Sequence, residues 1–396
     1  MRRVFPPAAL LLLGTSLLRA DTYLVLPFFN DSGRANIDWI GESIADAVHD
    51  ALTSASLLAV SRDDREEAYE RLSLRSSAGP LTLASVVRIG QAVDADEVIY
   101  GHFDLKPADD PKKSRGSLQI NAQVLDLKHL HEGPRFSETG ALEDIAHLQN
   151  HVSWEALQYV APAAAPTEEQ FNREHPPVRV DALENYIRGL LADKDEDKHR
   201  LFSQALRLQP DFSPAAFQLG RLDWRQKDYR SASDWLAKVA AGDHHYYQAN
   251  FLLGLSRYSL ADYAAAQSAF ELVAANVPLN EVLNDLGAAQ SRRNLPAALD
   301  NFQKALEGDS SDPDYQFNVG YALWKRGNFA EAAVRFRAVL ERAPNDEDAP
   351  VLLDRCDKKL GPRPGDTRTE NLERIKTDYE ENAYLELKSI LQGKKP

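Results

Sequence analysis

The chain has 396 residues, room for two or three domains of ordinary size, and its 43% hydrophobic and 27% charged content is that of a folded soluble protein rather than a disordered or membrane-embedded one. A formal net charge of −14 excludes a duplex nucleic-acid binder, which needs a basic footprint, and disfavours anionic membrane surfaces. With Cys356 as the lone cysteine, no disulfide can form within the chain.

In chain order, residues 1–20 have the layout of a secretory signal peptide. A basic "MRR" precedes the apolar run "AALLLLGTSLL" and the small-residue ending "LRA", so cleavage after Ala20 is expected. The apolar run is short for a span of about 20 residues. Removing three arginines and no acid takes the net charge from −14 to −17. The expectation is an exported protein with no membrane span after cleavage, periplasmic where the host has an outer membrane and secreted otherwise.

Residues 21–160 mix two periodicities. "TYLVLPF" is strand-like and ends at the turn-like "NDSG". Ile40, Ile44, Val48 and Leu52 then recur every four residues, one face of a helix. "LLAVSR" predicts a strand, "DDREEAYERL" a charged helix, and Val86, Val87, Ile89, Ala92 and Val93 an amphipathic helix leading into the strand "EVIYGHFDL". After the polar loop "PADDPKKSRG", Leu118, Ile120, Ala122 and Val124 alternate with Gln119, Asn121 and Gln123, so one face of that strand is buried and the other wet. A helix over 143–160 closes the domain. Strands interleaved with helices predict an α/β unit with a small mixed sheet. The pieces "YLVLPFFNDSG", "RIGQAVDADEVIYGHFDL" and "LQINAQVLDL", in that order and spacing, resemble the amino-terminal domain of the TolB family. That resemblance implies a non-catalytic envelope domain that mediates protein contacts. The propeller that follows it in TolB is absent here, so a Tol-system role does not carry over.

Residues 161–178, "APAAAPTEEQFNREHPPV", read as a Pro/Ala-rich linker or crossing segment. Beyond it, over 179–392, the pattern is helical throughout. Gly220, Gly254, Gly287 and Gly320 fall 34, 33 and 33 residues apart, and each is followed at near-constant spacing by an alanine (Ala232, Ala266, Ala298, Ala332) and then a large apolar residue (Leu236, Phe270, Phe302, Phe336). Small residues let paired helices approach, the aromatic fills the wedge beside them, and such pairs must stack to bury their apolar faces. This looks like the tetratricopeptide repeat. An irregular unit, "ENYIRGLLA" with "FSQALRLQP", precedes the four, and "DAPVLLDRCDKKL" begins an incomplete last one. A final helix over 369–391, with Leu372, Ile375, Tyr379, Ala383, Leu387 and Ile390 on one face, is expected to cap the array.

In that family the first helices line a concave groove. The resemblance therefore assigns a partner-binding groove to Phe217, Arg221, Trp224, Phe251, Tyr258, Phe317, Tyr321 and Trp324, with Asn284, Ser291, Arg292 and Lys325 among them. The expected partner is a protein or peptide. The lysine–asparagine clamp that some members use for carboxyl-terminal peptides is not at these positions.

Signatures of catalysis are thin: no phosphate-cradling glycine loop, serine elbow or zinc-protease helix occurs. The nearest metal candidate is His147 and His151, one helical turn apart, with Glu143 and Glu155 flanking. The reading is therefore a non-catalytic interaction scaffold without a cofactor, serving an envelope or secretion assembly. A metal-dependent hydrolase using His147 and His151, or a self-assembling scaffold, are the alternatives.

Overall fold

In the computed structural model, residues 21–74, 80–108, 114–380 and 384 are described; the signal-peptide expectation falls outside them. The expected first strand is interrupted. β1 (Thr22–Val25) gives way at Pro27, which has no N–H to donate. Phe28 N donates instead to Gly41 O at 3.1 Å, before the chain returns to the sheet as β2 (Phe29–Asn30). A Cβ on Gly41 would lie 2.0 Å from the Phe28 carbonyl oxygen, so only glycine permits that approach. Then follow α1 (Trp39–Ser54), β3 (Leu58–Ala59), α2 (Arg62–Arg71), α3 (Leu83–Ala92), β4 (Glu97–Lys106), β5 (Ser117–Asp126), β6 (His131–Ala141) and α4 (Ile145–Val160). Ser61 and Thr82 start α2 and α3 by accepting hydrogen bonds from Asp64 N and Ser85 N.

The strands lie in the order β3-β1-β4-β5-β6, with β2 also on β4. Pairings among β1, β2, β3 and β4 are parallel, and β4-β5-β6 is antiparallel. Alternation divides the core. Tyr23, Val25, Ile99 and Val124 meet α1 and α4, while Leu24, Leu26, Val98 and Leu125 meet Tyr69, Val86 and Ile89 of α2 and α3. The sequence reading missed β6. This strand is a polar edge, carrying Gly133 and Pro134, where a proline is tolerated because one side has no partner.

The expected linker is docked. It holds α5 (Glu168–Glu174), buries Phe171, and its Pro166 carbonyl accepts a hydrogen bond from Trp154 Nε1 at 3.0 Å. Among the described residues eleven helices follow: α6 (Val180–Leu191), α7 (Asp195–Leu208), α8 (Ser213–Arg225), α9 (Tyr229–Leu236), α10 (Tyr246–Ser259), α11 (Tyr263–Asn276), α12 (Asn280–Arg292), α13 (Ala297–Gly308), α14 (Pro313–Lys325), α15 (Phe329–Arg342) and α16 (Asp348–Asp357). They form five stacked hairpins and a half-unit. The glycines do what their spacing suggested: a Cβ on Gly254 would lie 2.5 Å from the Phe270 ring, and one on Gly287 would lie 2.8 Å from Phe302. Seven residues after each of the four glycines the backbone turns left-handed, at Lys227, Ala261, Asn294 and Gly327, which ends the first helix and reverses the chain. α1 packs against α6, and a single apolar core runs from Phe28 and Ile40 through the repeats to Cys356.

The expected capping helix is not formed over residues 369–380, although Tyr384 beyond them is helical and its N donates to Glu380 O at 3.3 Å. Residues 371–380 run without helical structure; 381–383 and 385–396 lie outside the described residues. Leu372, Ile375 and Tyr379 do pack on the core as their periodicity suggested. The backbone at Asn371, Arg374 and Lys376, however, is hydrogen-bonded to the repeats, and those tertiary bonds override local helix propensity.

Gly254→Val should lower folding stability by about 1–3 kcal/mol, since valine must displace Phe270. Gly361→Ala, where a Cβ would meet only Phe329 at 3.9 Å, should change it little. Urea midpoints of the two variants make the comparison.

Candidate peptide-binding groove

Residues 369–380 lie along the first helices α10, α12 and α14, passing from α14 back toward α10. The segment is held chiefly by its backbone. Arg374 N donates to Asn318 Oδ1 (2.9 Å), and the Arg374 carbonyl accepts from Nδ2 of both Asn284 (2.8 Å) and Asn318 (2.7 Å). Two residues on, Lys376 N donates to Asp285 Oδ1 at 2.8 Å. Asp285 and Asn318 occupy matching places in α12 and α14, so alternate N–H groups of the extended segment meet equivalent positions of successive repeats. Tyr321 Oη donates to the Thr369 carbonyl at 2.7 Å, and Arg292 Nη2 to that of Asn371 at 3.0 Å. Asn284, Asp285 and Asn318 are fully buried; the two amides have partners in place, whereas among the described residues Asp285 Oδ2 has no hydrogen-bond partner.

Side chains add an alternating charge pattern. The Glu373 carboxylate, almost fully buried, meets Arg292 Nε at 2.8 Å, Lys325 Nζ at 3.4 Å and Ser291 Oγ at 2.6 Å. Arg374 lies over the Phe317 ring, 3.6 Å from guanidinium carbon to ring centre, and pairs with Asp346 (2.7 Å) and Asp314 (3.3 Å). Lys376 Nζ bridges Asp312 and Asp314 at 2.8 and 2.7 Å. The Tyr379 ring stacks on Phe251 with centres 5.1 Å apart. An acid thus enters a basic notch, and two bases enter the acidic rim at the start of α14, where Asp312 also caps the helix.

The sequence-assigned residues divide into two groups. Phe251, Phe317 and Tyr321 touch the segment, Tyr258 accepts a hydrogen bond from Arg292 Nε (3.0 Å), and Trp324 Nε1 donates to the Leu360 carbonyl (2.8 Å) as the chain turns toward the groove. Phe217 and Arg221 turn elsewhere: Phe217 stacks on His245 of the loop between α9 and α10 with centres 4.0 Å apart, and Arg221 reaches across to Asp63 of α2 at 3.3 Å. Trp224 is half-buried against the core. Sequence reasoning missed Asn318, Asp285 and the acidic rim. Their signal was the residue beside each groove-facing position, which faces inward only once the superhelix curves.

The proposed metal pair does not act as one. His147 is exposed. His151 sits among Glu138 (3.2 Å), Glu155 (3.8 Å) and Glu168 (2.8 Å), drawn from β6, α4 and α5.

A family model described as "Tetratricopeptide repeat" matches residues 287–347, the stretch holding α13, α14 and α15 and most of the basic notch and acidic rim. Residues 287–347 thus carry the tetratricopeptide repeat, and the helices before them recur at the same period. Among solved structures, YrrB, titled a TPR protein with an unusual peptide-binding site, is 18% identical over 48% of this chain and 95% of its own, with a TM-score of 0.41. MamA is 19% identical over 38% of this chain and 89% of its own, at 0.36. PilF of Pseudomonas aeruginosa is 18% identical over 45% and 83%, at 0.37. No curated protein matches the sequence.

Burial raises the Asp285 carboxyl well above its ordinary range, against the opposing hydrogen bonds from Lys376 N and Asn284. The folded chain therefore holds a proton there that the unfolded chain has released, so the associated stability is complete below about pH 4 and is lost as pH rises through the folded value. Asp285→Asn, which cannot ionise, should remove that slope: from pH 4 to 8 the urea midpoint of the unaltered chain should fall relative to that of the variant.

Proposed function

We propose that this protein is an exported, non-catalytic scaffold whose repeats bind an extended segment of another polypeptide, with its own residues 369–380 as the resident occupant. The observation that carries this reading is the capture of one peptide unit, at Arg374, by two asparagines on successive repeats. Backbone recognition of this kind accepts any chain in an extended conformation. The notch and rim then select a segment with an acid where Glu373 lies, bases where Arg374 and Lys376 lie, and an aromatic where Tyr379 lies. A tethered segment competes at high effective concentration, so a partner must outbid it or arrive when it has been drawn out. The amino-terminal half serves as a TolB-like contact domain, and the site of action is an envelope or secretion assembly. The basic-then-apolar start of the chain supports export, and the mass of the protein recovered from an exporting host should begin at Asp21.

A labelled synthetic peptide spanning residues 366–384 tests the groove. A chain ending at Gly365 should bind it, and the full chain should bind it at least about 100-fold more weakly because the tethered copy competes. Asn284→Ala with Asn318→Ala should abolish binding to the shortened chain while its helical circular dichroism persists. Failure of a folded shortened chain to take the peptide would count against the reading.

A further inference from the structure

A second constellation lies at the junction of the two halves, in a cavity of about 1270 Å3 bounded by α1, α2, α6, α8 and the loop between α9 and α10. His49 and Asp50 project from the end of α1, and His244 from the loop; their ligating atoms all lie within 4.8 Å of one another. Asp243 and His245 form a second such trio with the same His244. We infer that His49, Asp50 and His244 bind a zinc-class divalent cation that staples the α/β domain to the repeat array.

Three observations carry this. The first is distance. His244 Nδ1 and Asp50 Oδ1 are 3.4 Å apart, too far for a charge-assisted hydrogen bond of about 2.7–2.9 Å. Two ligands about 2.0–2.1 Å from a tetrahedral ion lie about 3.3–3.4 Å apart. The second is donor type: two imidazoles and a carboxylate suit zinc and its neighbours in the first transition row, and a residual position would open to the cavity. The third is charge. Asp46, Asp50 and Asp243 all line this cavity. The Arg65 guanidinium, which also lines the cavity, is already committed to Glu42 at 2.5 Å. Asp46 supports the site from behind, hydrogen-bonded to Tyr186 of α6.

The ligands come from both sides of the junction, so the ion would act as a cross-link. The test is zinc titration of the chelator-stripped full chain by calorimetry, with elemental analysis after gel filtration. One zinc per chain is expected, with a rise in the thermal midpoint that His244→Ala and His49→Ala each remove. His151→Ala, which alters the separate Glu138, His151 and Glu155 group, should leave binding unchanged. Zinc retained by a folded His49→Ala/His244→Ala chain, or lost in His151→Ala, overturns the assignment. Cobalt(II) added to the unaltered chain guards against variants that fail to fold. The intense visible bands of a four-coordinate site support the inference; their absence overturns it.

Discussion

The seating of an aromatic ring against a glycine, Phe270 on Gly254 and Phe302 on Gly287, sets the distance between the helices of each hairpin. That distance fixes the pitch at which hairpins stack, because each unit can bury its apolar faces only against its neighbours. The pitch in turn decides which side chains of α12 and α14 stand beside one another on the inner wall. Asn284 and Asn318 reach the same peptide unit only because their helices hold this spacing. A volume change at such a glycine is therefore felt at the groove.

The groove combines two kinds of recognition with different physical demands. Amide and carboxylate side chains satisfy the backbone of the segment, and buried groups of this kind are costly when left without partners. The polar wall of α12 and α14 therefore favours an occupied groove. Ion pairs then choose the register. Glu373 could not take the place of Arg374 without bringing a carboxylate to Asp314 and Asp346, and Arg374 could not take the place of Glu373 beside Arg292 and Lys325. Like-charge contacts in so enclosed a site oppose any one-residue slip, which gives the array a means of reading order along an extended chain.

The two halves are not independent beads. The apolar core passes without interruption from the sheet through α1 into α6 and the hairpins, the expected linker is pinned across α4 by Trp154 and Phe171, and Arg188 of α6 donates to the carbonyl of Asn36 at 2.5 Å. Phe217 and Arg221, on the groove side of α8, are consequently spent on the junction rather than on the segment. The α/β domain thus closes one end of the trough and leaves α10, α12 and α14 to do the reading.

Much of this was legible in one dimension. The recurrence of glycine, alanine and an apolar side chain at a period near 33 determined four of the hairpins, because close helix packing imposes those sizes at those places whatever the surroundings. Alternation over Leu118–Val124 likewise determined which face of β5 is buried. The fate of Leu372, Ile375 and Tyr379 was decided elsewhere. Their spacing suits a helix face equally well, and no local signal announces that Asn284, Asp285 and Asn318, some 56 to 91 residues away, offer the backbone better partners. The polar edge strand β6 and the meeting of His49 with His244 belong to the same class. Local periodicity records what a segment must bury, whereas hydrogen-bond partners and converging charges depend on which distant surfaces the folded chain brings together.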